Sequence, residues 1–156
     1  MASKRSVIWA RRLWIIATAV VAMIALLLGT SSLRPPCTPV SGIEQIRIPL
    51  AQVGRGVSSF FCYRDDGGKR LRFILARDEE GNVHSVLDAC RQCSSYHKGY
   101  ASSDGDLVCR LCGNRYQLSA MEKGRASCVP VKLPNRQHNG TVEIQVSDLK
   151  RGRALF

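Results

Sequence analysis

The sequence predicts a mostly β protein: one small antiparallel β domain with two metal-binding loops, preceded by a single N-terminal transmembrane helix. Three observations lead there. Residues 13–29, LWIIATAVVAMIALLLG, are an uncharged apolar run. From Ile43 onward, apolar and polar residues alternate over short segments bounded by Gly, Asp and Asn. Two Cys-x-x-Cys pairs, Cys90/Cys93 and Cys109/Cys112, are separated by fifteen residues. That spacing lets two tight loops turn four thiolates towards one centre.

The N-terminus is the basic end. Residues 1–12 carry Lys4, Arg5, Arg11 and Arg12 and no acid, and only Arg34 follows the apolar run closely. The asymmetry places residues 1–12 in the cytoplasm and the remainder of the chain on the extracytoplasmic, periplasmic side of the cell membrane. Residues 13–29 are the single-pass anchor, short against the ~20 residues typical of a span, with Trp9 and Trp14 at its cytoplasmic end. A cleaved signal peptide is the alternative, but no Ala-x-Ala site follows the run. Residues 30–42, rich in Pro and Ser, read as a linker. Cys37 within it has no local partner; a free thiol, a disulfide and an intermolecular link all stay open.

Residues 43–156 form the Cys-rich β domain. Ile46, Ile48 and Leu50 alternate with polar or small neighbours. Ser58–Arg64 reads as an aromatic strand, ended by Asp65-Asp66-Gly67-Gly68. Arg70–Arg77 sets Leu71, Phe73 and Leu75 on one face, with Arg70 and Arg72 on the other. After a turn at Glu80-Gly81-Asn82, Val83–Asp88 runs straight into Cys90, and Thr141–Val146 gives a last strand. The segment between Cys112 and Thr141, with Gly124, Cys128, Pro130 and Pro134, reads as loop. No segment after the anchor has a sustained helical period.

Of 23 basic and 12 acidic side chains, 18 and 12 fall after residue 34. The domain is mildly basic, without the lysine block or interleaved aromatics of a nucleic-acid groove, so no nucleic-acid partner is expected. No Ser/His/Asp set, phosphate-cradling loop or paired-carboxylate pocket suggests a hydrolase. The expectation is an electron carrier or complex subunit rather than an enzyme with its own substrate.

The candidate ligands are Cys90, Cys93, Cys109 and Cys112. Four thiolates suit an iron–sulfur centre, a closed structural zinc, or a single iron ion; disulfides are the fourth reading in an oxidising compartment. Gly113, directly after the second pair, lets the backbone turn with positive φ and direct N–H groups at the sulfurs. His97 is read as a solvated loop residue, and His84 and His138 are given no role. Tyr96 and Tyr100 are expected to pack against the site. Arg91 and Arg110, at matching positions in the two pairs, either are exposed loop charges or offset the charge of a thiolate-ligated centre and offer a docking surface to an acidic partner.

The order of parts resembles the Rieske-type ferredoxin fold: Ile48 to Val53, a hairpin at Asp78–Asn82, Cys90, Gly99-Tyr100, Cys109, Gly113-x-x-Tyr116-x-Leu118 and Pro130-x-x-Leu133. Cys93 and Cys112 stand where that family has histidines. By that analogy Cys90 and Cys109 would hold one iron of a [2Fe-2S] cluster, and Cys93 and Cys112 the other. The combination of Asp88-Ala-Cys90-x-x-Cys93, Gly99-Tyr100, Cys109-x-x-Cys112 and Cys128-x-Pro130 is closer still. It resembles the membrane iron–sulfur family associated with Ftr-type iron permeases (FtrD-like). The resemblance implies a membrane-anchored electron-transfer protein supporting iron uptake, with the bilayer and a redox partner or membrane-complex subunits as its partners. The alternative is a zinc-stabilised structural or assembly subunit. Cys128 matches a family cysteine; its bland reading is a buried hydrophobe or disulfide partner, with Cys62 as one pairing.

Overall fold

The computed structural model describes residues 14, 16–18, 20, 34–123 and 128–156. Residues 14, 16–18 and 20 are helical and belong to a unit of residues 1–33, separate from the unit of residues 34–156. The anchor expected over 13–29 otherwise lies outside the described residues. Among those described, no helix is long and apolar enough to cross a membrane.

The second unit is mostly β. Its central sheet has five strands in the order β1 (Thr38–Val40), β3 (Ser58–Arg64), β4 (Arg70–Arg77), β5 (Val83–Cys90), β9 (Pro130–Lys132). All neighbours are antiparallel except β1 and β3, which run parallel. A three-stranded sheet, β10 (Arg136–His138), β11 (Thr141–Gln145) and β2 (Gln45–Pro49), lies on one side with a short C-terminal helix, Val146–Arg151. A second three-stranded sheet, β6 (Tyr100–Ser103), β7 (Asp106–Cys109) and β8 (Arg115–Gln117), carries the other set of packing residues.

Period-two alternation divides β4 and β5 between two cores. Leu71, Phe73 and Leu75 of β4, with Leu87 and Ala89 of β5, pack with Ile46, Ile48, Val142, Ile144 and Leu149. Ile74, Ala76, Val86 and Cys90 face the other way, towards Tyr100, Leu107, Tyr116, Leu118 and Met121. Burying each Leu, Ile or Phe stabilises the fold by roughly 1.5–3 kcal/mol, so both faces of β4 contribute.

Arg72, on the face opposite Leu71, shares in this two-sided burial: its side chain is buried, and its Nε lies 2.7 Å from Oδ2 of Asp88. One correction concerns the linker expected over 30–42. From Arg34 onward the chain is part of the domain: Thr38–Val40 is the edge strand β1, and Cys37 is disulfide-bonded to Cys62 on β3. The Cys62–Cys128 pairing therefore does not form. A second concerns the loop expected between Cys112 and Thr141, which contains β8, β9 and β10.

Candidate metal centre

Both Cys-x-x-Cys pairs sit where a strand runs out. On β5, parity puts Val86, Asp88 and Cys90 on the same face, so the strand delivers Cys90 into the second core. The first loop then turns tightly: the Cys93 N–H donates to the Cys90 carbonyl at 3.2 Å, and a 3-10 turn covers Ser94–Tyr96. Gly99 ends the loop at φ +65, where a Cβ would lie 2.4 Å from Oδ1 of Asp88. Asp88 occupies that space because its Oδ1 accepts the Tyr100 N–H at 2.7 Å. The carboxylate thus pins the end of the loop to its start.

The second loop begins at Cys109, the last residue of β7. The Gly113 N–H donates to the Cys109 carbonyl at 2.9 Å, and Gly113 takes φ +74, as its position after the pair predicts. The Arg110 N–H donates to the Gly99 carbonyl at 3.0 Å and fastens the two loops together. β9 brings in a third segment. Pro130 is in register with Cys90, which carries Cys128 to the same end of the sheet. The Tyr116 hydroxyl donates to the Cys128 carbonyl and fixes it there.

The outcome is a nest of five free cysteines. The Sγ atoms of Cys93, Cys109, Cys112 and Cys128 all lie within 4.8 Å of one another. Cys90 adjoins them, buried in the same core as Cys109 and Cys128, with Cys93 packed against it. Three of the four residues singled out by spacing are in the compact group, and the fourth borders it. Cys128 is the residue that spacing alone missed. Its only sequence signal is the Cys-x-Pro step into β9, and a strand of three residues leaves too short a pattern to pair with β5 in advance.

The sulfurs share their protons unequally. At Cys90, burial opposes ionisation but is outweighed by hydrogen bonds from the Cys128 thiol and the Cys93 and Gln92 amides, so the thiol is lowered. Cys112 is lowered likewise, against burial, by the Asn114 amide and neighbouring thiols. Burial first, then the charges of Cys109 and Cys90, pushes Cys93 up to about 12. Burial also raises Cys128. Like charges this close cannot all ionise unaided. A cation among them removes that repulsion and takes the place of the protons.

Around the nest, Tyr100 is 1% exposed, and its hydroxyl has no hydrogen-bond partner among the described residues. It packs edge-on against Tyr116 at 6.2 Å, beside Cys90, Cys109 and Cys128. Tyr96 instead is 63% exposed and does not shield the site. Arg91 and His97 are exposed too, while Cys112 is the exposed member of the five cysteines.

A family model described as "Membrane iron-sulfur containing protein FtrD-like" matches residues 53–156. That stretch covers more than half of the chain and all five free cysteines. The chain belongs to the FtrD-like family of membrane iron–sulfur containing proteins. A search of curated proteins returned no match. The residues fit the group that the FtrD-like description implies. The donor set is all thiol, the soft ligand that iron–sulfur clusters take, and the orphaned Tyr100 hydroxyl is a buried donor beside it with no acceptor of its own.

Proposed function

We propose that the chain is a membrane-anchored, extracytoplasmic iron–sulfur electron-transfer protein, with residues 13–29 as its anchor and the sulfur nest as its redox centre. One observation carries this reading: three separate segments converge to place four sulfurs within 4.8 Å of one another, with Cys90 alongside. When bound, an iron–sulfur cluster, proposed as [2Fe-2S], supplies reversible electron transfer. The protein's part is to hold the thiolates, direct amide N–H groups at them and limit water.

Cys90, Cys93, Cys109 and Cys112 are the proposed ligands. The compact group contains Cys128 in place of Cys90, so the choice needs a reason. The Gln92 and Cys93 amides help to lower the Cys90 thiol, and the Asn114 amide helps to lower that of Cys112. Amide support of this kind orients ligand sulfurs. For Cys128 the described neighbours are thiols and the Tyr116 hydroxyl. Cys128 then acts as a thiol donor to the Cys90 sulfur. The Rieske-like analogy and a role in iron uptake belong to this same proposal, and the partner is a redox protein or subunits of a membrane complex.

A structural zinc is the second reading, and the spacing of the sulfurs favours it. Four thiolates about one ion at ~2.3 Å stand roughly 3.8 Å apart, nearer to the compactness of this nest than a wider cluster would leave it. Visible absorption decides between the two. Bands that bleach with dithionite support the electron carrier; a colourless protein with one zinc per chain supports the structural module.

A further inference from the structure

A thiolate-ligated centre is net negative, and the domain sets beside it a half-buried cation that nothing else among the described residues uses. Arg34 lines the small cleft that also holds Cys90, Cys93 and Cys109. Its side chain is half-buried, and no hydrogen bond or ion pair to it occurs among the described residues. The carboxylate it feels, Asp88, already accepts from Arg72 and from the Tyr100 amide. Two further cations, Arg72 and Arg110, act on it unfavourably, and burial is the main influence lowering its pKa. Lys98 and His97 line the same cleft but are exposed, where solvent and salt screen them. A half-buried guanidinium among like charges is unfavourable unless an anion completes its surroundings.

The segment that carries Arg34 is strapped in place. Cys37 is bonded to Cys62, β1 pairs with β3, and the Pro35 carbonyl accepts a hydrogen bond from Arg72 at 2.7 Å. These contacts straddle the residues just after Arg34, and none of them touches a cysteine of the nest.

We propose that Arg34 is the counter-charge of the sulfur centre, held beside it by the Cys37–Cys62 strap. The inference rests on a negatively charged metal–thiolate centre in the nest. Arg34 is a positioning and tuning residue, not a ligand. Reduction of an iron–sulfur centre adds negative charge, so a fixed neighbouring cation favours the reduced form.

The test uses the full chain, purified anaerobically, with Arg34→Gln, Arg34→Lys and the Cys37→Ala/Cys62→Ala pair, each assayed for iron, acid-labile sulfide and reduction potential. Arg34→Gln is expected to keep its iron and sulfide and to disfavour reduction about tenfold, which is about 59 mV for a one-electron couple. Arg34→Lys should recover most of the shift, and the strap variant should reproduce part of the Gln effect. An Arg34→Gln protein with full iron and sulfide and an unchanged potential overturns the proposal. If the wild-type chain carries zinc and no sulfide, the iron–sulfur reading fails by itself. Arg34 is then read by chelator competition: about tenfold weaker zinc in Arg34→Gln sustains the counter-charge, and unchanged affinity overturns it. A wild-type chain that binds neither metal overturns both.

Discussion

Nε of Arg72 lies 2.7 Å from Oδ2 of Asp88, with side-chain exposures of 8% and 0%. Two residues after Asp88 comes Cys90, and the other Asp88 oxygen holds the Tyr100 amide at the far end of the same loop. Arg72 in turn reaches the Pro35 carbonyl. One buried ion pair therefore joins the central sheet, the first cysteine loop and the N-terminal strap.

Removing one partner of such a pair leaves the other buried and uncompensated. We expect Arg72→Met to cost about 3–5 kcal/mol, read as a lower urea midpoint. Arg72→Met combined with Asp88→Leu should recover part of the loss at the pair itself, although the Tyr100 amide then lacks its acceptor. A loss below 1 kcal/mol in Arg72→Met would show that the pair is not structural.

The two loop glycines should behave differently. At Gly113 a Cβ meets nothing within 4 Å, so alanine there suffers only the positive φ, about 1–2 kcal/mol. At Gly99 the same strain is joined by a Cβ 2.4 Å from the Asp88 carboxylate. Gly99→Ala should therefore be much the more destabilised of the two in thermal unfolding. Equal losses would contradict the packing described for Asp88.

Much of the fold was legible in the sequence because local chemistry decided it. The strands Ser58–Arg64 and Arg70–Arg77 appear with those bounds, since alternation and the Asp-Gly turn between them are local signals. The face of Arg72 follows from the alternation, but its burial does not, because only the partner strand β5 supplies the Asp88 that pairs with it. β1, β9 and β10 are three residues each, too short for a period. The C-terminal helix, at six residues, is shorter than two turns. At the centre, spacing singles out Cys90, Cys93, Cys109 and Cys112, whereas Cys128 and Arg34 come beside them through pairing that no local pattern shows.

Acid should weaken the β4–β5 hairpin in a defined window. A hydrogen bond from His84 outweighs burial at Asp78, and with those from Asn82 it lowers the carboxyl to about 2. The unfolded value is higher, about 3.9. The stabilisation is thus fully present above pH ~4 and lost as pH falls towards ~2. Asp78→Asn should flatten that part of the melting temperature against pH curve. An unaltered acid limb would assign the sensitivity to another carboxylate, such as Asp65, which Arg153 lowers.

The disulfide should matter for folding more than for metal retention. Cys37 and Cys62 are 25 residues apart, and closing a loop of that size constrains the unfolded chain by roughly 3–4 kcal/mol. The Cys37→Ala/Cys62→Ala protein should melt earlier yet keep its metal. Loss of metal on removing the strap would mean that it shapes the nest itself.

Serine replacements sort the five cysteines. Cys90→Ser, Cys93→Ser, Cys109→Ser and Cys112→Ser should each lose metal, while Cys128→Ser should keep it with an altered spectrum, because a hydrogen bond to the Cys90 sulfur is changed. Metal loss in Cys128→Ser and retention in Cys90→Ser would exchange their roles.

The central claim is that these sulfurs hold an iron–sulfur centre. Iron and acid-labile sulfide, counted per chain in anaerobically purified protein, address it most directly. About two of each per chain is the result this account predicts for a [2Fe-2S] centre; zinc with no sulfide, or thiols that titrate as five free groups in metal-free protein, would contradict it.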